Sequence, residues 1–362
     1  MDCRTKIVAT LGPASESPEV LDALLLAGTS VVRLNLSHGD VESHVERMRL
    51  VREAAKRTGR AVAVLADLPG PKVRCGQFPE GGGELVDGAA IDLVPGDGPS
   101  STACLVVEYP TLLDDLRAGD RVVLGDGAIS LLIETVGATH AAARVLTGGR
   151  TQGRPGVHLP SERLRLTTPT DEDLVLGARM AAEGADFLAV SFVRSAGDLR
   201  TLRAAIPQKV RLVAKIETMS AIAALDEIVQ EAEAVMVARG DLGIECPLED
   251  VPHLQKQIIR QCVEVGIPVI TATQMMESMI TSPSPTRAEV SDIANAVFDG
   301  TDALMLSAET AIGADPVAVV ETMARIASRA EEEASYAAWA TRLGRTQRGQ
   351  WPDGPEIGRA HV

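Results

Sequence analysis

The sequence predicts a (β/α)8 barrel with a small β domain inserted after its third strand. Three observations carry the prediction. Short apolar runs alternate with amphipathic helical runs, making eight strand–helix units. The strands are apolar throughout, as in a parallel sheet covered on both faces. The alternation also breaks for about a hundred residues after the third strand and then resumes. An open doubly wound sheet would share the first two features, but no GxGxxG follows the first strand.

Residues 6–12 read as strand one. SPEVLDALLLAG (17–28) is the first helix, with Ser17 as N-cap, Pro18 at its first position and Gly28 as its stop. Residues 31–35 are strand two, 44–58 a helix that Gly59 ends, and 61–68 strand three. From Thr170 the pattern returns, with helices at 171–183, 196–205, 219–231, 251–265, 286–298 and 316–333. Between them lie strands at 187–192, 210–216, 234–239, 268–273 and 303–307. The interruption, 70–165, is rich in Gly and Pro. Its short β-like runs (84–85, 90–94, 105–107, 121–124, 128–134, 141–146) read as a small β-barrel lid. The barrel is then 1–69 and 166–335, and 336–362 reads as a weakly ordered tail.

Hydrophobic residues are 45% of the 362 and aromatics only 2%, so the core must be Val, Leu, Ile and Ala. A formal net charge of −15 argues against general affinity for nucleic acid or anionic membranes, while leaving room for a local basic pocket. The five cysteines are scattered with no CxxC pair, so neither a disulfide framework nor a zinc site is indicated. No apolar run reaches membrane-span length and no signal-peptide pattern opens the chain, so a cytoplasmic protein is expected.

In a parallel barrel, chemistry gathers where the strands end. Strand two ends in RLNLSHG, where Arg33, Asn35 and Ser37 alternate and share one side. Strand three gives Asp67, strand five Lys215 and Glu217, and strand six Arg239, Gly240 and Asp241. Strand seven gives Thr271 and Thr273, and strand eight Ser307 and Glu309. One polar residue at a strand end is usually a cap or loop residue; six strand ends together form a pattern. Glu217 and Asp241, from neighbouring strands, suit Mg²⁺, which takes hard oxygen ligands and shares its shell with phosphates. Lys215 and Arg33 would neutralise a phosphoryl group. This reaches phosphoryl or carboxylate chemistry and does not choose the reaction. The stretch LADLPGPKVRCG (65–76) adds a question. With six lysines against 29 arginines in the chain, Lys72 in a tight turn near Asp67 needs a reason.

The runs TKIVATLGPAS, VVRLNLSHG, LVAKIET, VMVARGDLGIE, VITATQMMESMI and PTRAEVSDIANAVFDGTDALMLSAETAIG resemble the pyruvate kinase family, in that family's order. The resemblance implies a barrel with a lid inserted after strand three. It implies Mg²⁺-dependent (or Mn²⁺-dependent) phosphoryl transfer from phosphoenolpyruvate to ADP, giving pyruvate and ATP in glycolysis. Carried over by residue, Arg33 binds the substrate phosphate, Lys215 stabilises the phosphoryl group in transit, and Glu217 and Asp241 hold the metal. Gly240, Asp241 and Thr273 bind substrate; Asn35, Ser37, His38, Arg74 and the lid's Arg154 approach the nucleotide. Thr273, Ser307 and Glu309 lie near the route by which the enolate of pyruvate gains its proton. Members that need K⁺ hold it with residues matching Asn35, Ser37 and Asp67 and a Ser or Thr where Leu68 stands, and carry Glu in place of Lys72. Leu68 and Lys72 thus resemble the branch that works without a monovalent cation, the ammonium supplying the ion's charge.

Some positions depart from the family. Its members usually carry a C-terminal α/β domain with an effector site and a subunit interface. This sequence stops about thirty residues past the eighth helix, so control through such a domain is not expected; a homo-oligomer is, with a barrel-to-barrel dimer preferred. In the lid, a usual Lys-Gly reads Pro155-Gly156 after Arg154, and an acid farther on is replaced by Arg165. Ala308 stands for a usual Gly. Two other functions are therefore weighed: a scaffold-like pseudoenzyme, and a Mg²⁺-dependent lyase or aldolase on pyruvate-like acids. The intact Arg33, Lys215, Glu217, Asp241 and Thr273 speak against the first, the lid and Arg74 against the second.

Overall fold

The computed structural model of the protein describes residues 3–125, 127–160 and 163–333. The expected tail, 336–362, lies outside the described residues. The chain opens with β1 (Lys6–Thr10), α1 (Pro18–Ala27), β2 (Thr29–Asn35), α2 (Val41–Thr58) and β3 (Ala63–Asp67). The inserted domain holds β4 (Gly83–Leu85), β5 (Ala90–Pro95), β6 (Cys104–Val107), α3 (Leu112–Asp115), β7 (Arg121–Leu124), β8 (Ile129–Val136), β9 (Ala141–Thr147), β10 (Gly149–Thr151) and β11 (Val157–His158). Then come α4 (Asp171–Ala182), β12 (Phe187–Val190), α5 (Ala196–Ala205), β13 (Arg211–Ile216), α6 (Met219–Ala223), α7 (Leu225–Glu231), β14 (Ala234–Ala238) and α8 (Arg239–Glu245). The series closes with α9 (Val251–Val265), β15 (Val269–Ala272), α10 (Arg287–Asp299), β16 (Ala303–Leu306), α11 (Ala308–Ala311) and α12 (Pro316–Glu331).

Eight parallel strands close into a barrel in the order β1-β16-β15-β14-β13-β12-β3-β2. Helix ends follow local chemistry. Ser17, Asp40, Thr170 and Thr286 accept from backbone N–H groups of the first turns, and glycines in the left-handed region stop α2, α9 and α10. Three details differ from the sequence expectation. The helix expected at 44–58 starts at Val41, because Asp40 caps it. The helix expected at 219–231 is two helices meeting at Ala224. Strand six also ends one residue earlier than expected, at Ala238, and runs straight into the short α8.

The barrel interior is a small apolar cluster of inward-facing Val8, Leu65, Ala189, Val213, Met236, Ile270, Ala303 and Met305, with Val31 packed on it. A larger cluster fills the layer between strands and helices. Residues alternate sides along a strand, so the next inward steps are two residues on: Thr10, Arg33, Asp67, Ser191, Lys215 and Ser307. The polar layer at the barrel's C-terminal mouth is thus the continuation of the apolar register beneath it.

The inserted domain has its own core, including Phe78, Ile91, Leu105, Val122, Leu131 and Val145. Its six-stranded sheet runs β11-β7-β8-β9-β5-β6. Segment 73–76 bridges the two edges: Arg74 pairs with Gly156 beside β11, and Cys75 with Val107 of β6. That closes the sheet into a small barrel and leaves no open edge at this seam. Both crossings to the main barrel are pinned by one buried acid. Asp173 accepts from Gly70 N at 3.0 Å on the outgoing chain, and from Thr170 N and Oγ1 at 2.8 Å on the return. Arg194 donates to the carbonyls of Leu164 (3.0 Å) and Leu166. Among the described residues no helix is long and apolar enough to cross a membrane.

Candidate active site

The barrel mouth holds a buried network of opposite charges. Arg33, at the end of β2, donates from Nε to Asp67 Oδ2 at 2.7 Å and from Nη1 to Thr10 Oγ1 at 3.1 Å. Lys215, on β13, donates to Ser191 Oγ at 2.7 Å and lies 3.2 Å from Asp67 Oδ1 and 2.9 Å from Glu217 Oε1. Glu217 Oε2 accepts from Phe192 N at 2.6 Å. Asp67 and Glu217 are each 1% exposed and Arg33 and Lys215 each 9%, so these charges interact with little screening.

The electrostatics follow from that burial. Burial works against the Lys215 ammonium, but the charges of Asp67, Glu217 and Asp241 outweigh it and hold its pKa above the ordinary lysine value. Burial likewise penalises Asp67, yet Lys215 and Arg33 hold its carboxyl below the ordinary range. Glu217 goes the other way: burial, opposed by Lys215 and reinforced by Asp241, pushes it up to about 7.

Thr273 is placed by backbone strain. It shares the parity of Thr271, whose buried side chain is hydrogen-bonded to Thr301 Oγ1 at 3.0 Å. At Thr273 and Gln274 the backbone turns left-handed (φ 67° and 53°), which ends the alternation. The Thr273 hydroxyl accepts from Gly240 N at 2.8 Å, joining the ends of β15 and β14. Arg239 braces this turn through the Thr273 carbonyl (2.5 Å) and Asp292 (2.6 Å), a structural task for a residue that sequence reasoning grouped with the site. Gly240 and the half-buried Asp241 sit in the first turn of α8.

The remaining candidates divide. Asn35 stands in register with Asp67, and its Oδ1 accepts from Ser37 N at 3.3 Å. The His38 carbonyl bonds His44 Nε2 at 2.7 Å. Glu309 is buried with both oxygens on backbone N–H groups, of Ser307 (2.7 Å) and Met276 (3.2 Å), so its carboxylate locks two loops together. In the lid, Arg74 donates to the Arg154 carbonyl at 3.4 Å and Arg154 pairs with Glu108. Arg165 pairs with the buried Asp115 at 3.1 Å, beside Tyr109.

Lys72 and Asp67, neighbours in sequence, have different surroundings. Asp67 is enclosed by Arg33 and Lys215, whereas Lys72 is exposed and lines a cleft of about 560 Å³ between lid and barrel, with Phe192, Arg194 and Thr218. Leu68 is buried and offers no hydroxyl. Sequence reasoning also passed over strands one and four, which supply Thr10 and Ser191; the strand-end rule applied to all eight strands would have found them.

Among the described residues no three His, Cys, Asp or Glu side chains cluster as a metal site, so any ion would rest on two carboxylates plus substrate or water. The acids fit that role. Glu217 Oε1 is buried and accepts no well-aligned hydrogen bond, and Glu217 carries a raised pKa that a cation would reverse.

Residues 2–320 match the family model described as pyruvate kinase, barrel domain. The chain is 46% identical over 341 residues to a pyruvate kinase of Geobacillus stearothermophilus, covering 92% of this chain and 58% of that protein. It is 45% identical over 346 residues to pyruvate kinase 2 of Synechocystis sp., covering 91% and 57%. With a pyruvate kinase of Mycobacterium tuberculosis it shares 43% over 357 residues, covering 96% and 75%. The chain thus spans less than two thirds of the length of the first two relatives.

Proposed function

The chain belongs to the pyruvate kinase family, and from that premise we propose that it transfers the phosphoryl group of phosphoenolpyruvate to ADP, giving pyruvate and ATP in glycolysis. The observation that carries the proposal is the buried Arg33–Asp67–Lys215–Glu217 network beside Asp241. Phosphoryl transfer demands little covalent help and much charge compensation. Arg33 is paired with Asp67, and Lys215 is held between Asp67 and Glu217, so both cations are already in place to meet a phosphate. Glu217 and Asp241 would hold the divalent ion, which supplies charge neutralisation to the substrate's anionic oxygens when bound. With Glu217 ionised, as a bound cation would keep it, two cations against the three acids Asp67, Glu217 and Asp241 leave one excess negative charge, which a divalent ion reverses to suit an anionic substrate. Gly240 and Thr273 shape the substrate's side of the pocket, and the lid's Arg74 and Arg154 face the nucleotide.

K⁺ independence is part of the proposal. Leu68 gives no hydroxyl and Asp67 is already neutralised by two cations, which leaves a monovalent ion little to do. Lys72 supports this only as a cation on the cleft wall.

Phosphoenolpyruvate, ADP and Mg²⁺ are supplied together and ATP and pyruvate are followed. Turnover is expected, with loss on chelation by EDTA. Lys215→Met should lower the rate at least about 10²-fold with an unchanged circular dichroism spectrum. Near-normal turnover by that variant would remove Lys215 from the chemistry. Rates without K⁺ should lie within about two-fold of those in saturating KCl, since the charge is already in place; strong activation by K⁺ argues the reverse.

A further inference from the structure

We infer that Ser191 is a positioning residue for the Lys215 ammonium, a role that rests on the phosphoryl-transfer reading above. The directions of its hydrogen bonds are forced. An ammonium only donates and a peptide carbonyl only accepts. Lys215 Nζ therefore donates to Ser191 Oγ at 2.7 Å, and Ser191 gives its single proton to the Leu68 carbonyl at 2.7 Å. The hydroxyl is locked as an acceptor toward Lys215.

The acids alone do not provide this. Asp67 Oδ1 and Glu217 Oε1 lie 3.2 and 2.9 Å from Nζ, yet neither accepts a well-aligned hydrogen bond. Coulomb attraction sets the ammonium's distance and is nearly blind to where its protons point. The lysine stem is flexible, so direction has to come from a directional partner. Ser191 is 3% exposed and held on all sides. It directly follows β12 and precedes Phe192, whose left-handed backbone (φ 55°) sends its N–H to Glu217. A Cβ on Gly70 would lie 2.8 Å from the Ser191 Cβ, so glycine at the hinge is what lets Ser191 sit there. Residues 191 and 192 together thus orient both members of the Lys215–Glu217 pair, and Ser191 rests on the Leu68 carbonyl just before the lid.

Two measurements test this. Ser191→Ala should lower kcat about 10- to 100-fold, the scale of a misplaced catalytic group. KM for both substrates should stay within about three-fold, and Ser191→Thr, which keeps the hydroxyl, should recover most of the loss. If Ser191→Ala fails to fold, Ser191→Cys, of similar volume and weaker bonding, takes its place. Separately, with six lysines in the chain, ¹³Cε-lysine labelling gives six signals, and Lys215→Met assigns the one that matters. Ser191→Ala should move that signal alone. A kcat within about two-fold of the parent, or an equal loss in Ser191→Thr, overturns the positioning role while leaving the phosphoryl-transfer reading intact. If the parent protein makes no ATP, that reading falls, and the lysine signal decides the matter by itself: unmoved, it overturns the Ser191–Lys215 contact.

Discussion

Asp67 has one guanidinium and one ammonium against its two oxygens and almost no solvent. Its pKa is depressed below the ordinary 3.8 by Lys215 and Arg33, against burial. A depressed acid contributes stability that is present above its unfolded pKa and lost as pH falls through the folded value. The protein should therefore lose stability below about pH 4, and Asp67→Asn should flatten that acid limb in a series of thermal melts. The same substitution takes from buried Arg33 its acid and from Lys215 one of its two, so a cost of about 3–5 kcal/mol at neutral pH is expected. An acid limb as steep in the variant as in the parent would assign the titration to other carboxyls. Gln274 offers a contrasting test. It is exposed, left-handed and has no glycine freedom. Gln274→Gly removes strain of about 1–2 kcal/mol and adds unfolded-state entropy of about 0.5–1 kcal/mol, so a net gain near 0.5–1 kcal/mol should appear in urea melts. Thr273, equally strained, carries its hydroxyl to Gly240 and is not free to change in the same way.

At the scale of elements, the hinge is held by side chains from α4 and from the segment that leads into α5. Asp173 belongs to the capping box of α4 and also binds Gly70 N, so a local helix signal doubles as a clamp on both crossings. Asp173→Ala strips acceptors from buried donors and should cost about 2–3 kcal/mol. Limited proteolysis should then cut faster near residues 68–70 and 164–170. Unchanged cleavage would mean that Arg194, through the carbonyls of Leu164 and Leu166, carries the hinge alone.

For the whole molecule, a lid core separate from the two apolar layers of the barrel implies two units of cooperativity. Leu105 is fully buried in the lid core, and Leu105→Ala should cost that domain about 2–5 kcal/mol. Amide exchange should accelerate across β5 to β9 while β13 and β14 keep their protection. Acceleration spread equally over both would show that lid and barrel open together.

By itself the sequence determined the barrel and the insertion point, and it marked most residues of the candidate site, because each rests on a local signal. Apolar runs in a strand-helix rhythm, the cap at Ser17, and polar residues two steps beyond inward-facing apolar ones are all readable along the chain. Tertiary structure alone decided which charge meets which. Lys72 is five residues from Asp67 in sequence yet faces the cleft, while Asp67 takes Lys215 from 148 positions away, because barrel closure sets β3 within reach of β13 across β12. It also separated Glu309, absorbed by backbone N–H groups, from Glu217, whose buried Oε1 meets the Lys215 ammonium without an aligned hydrogen bond. Partner choice in a buried network depends on distance and desolvation in three dimensions, and neither quantity is encoded by residue type or spacing.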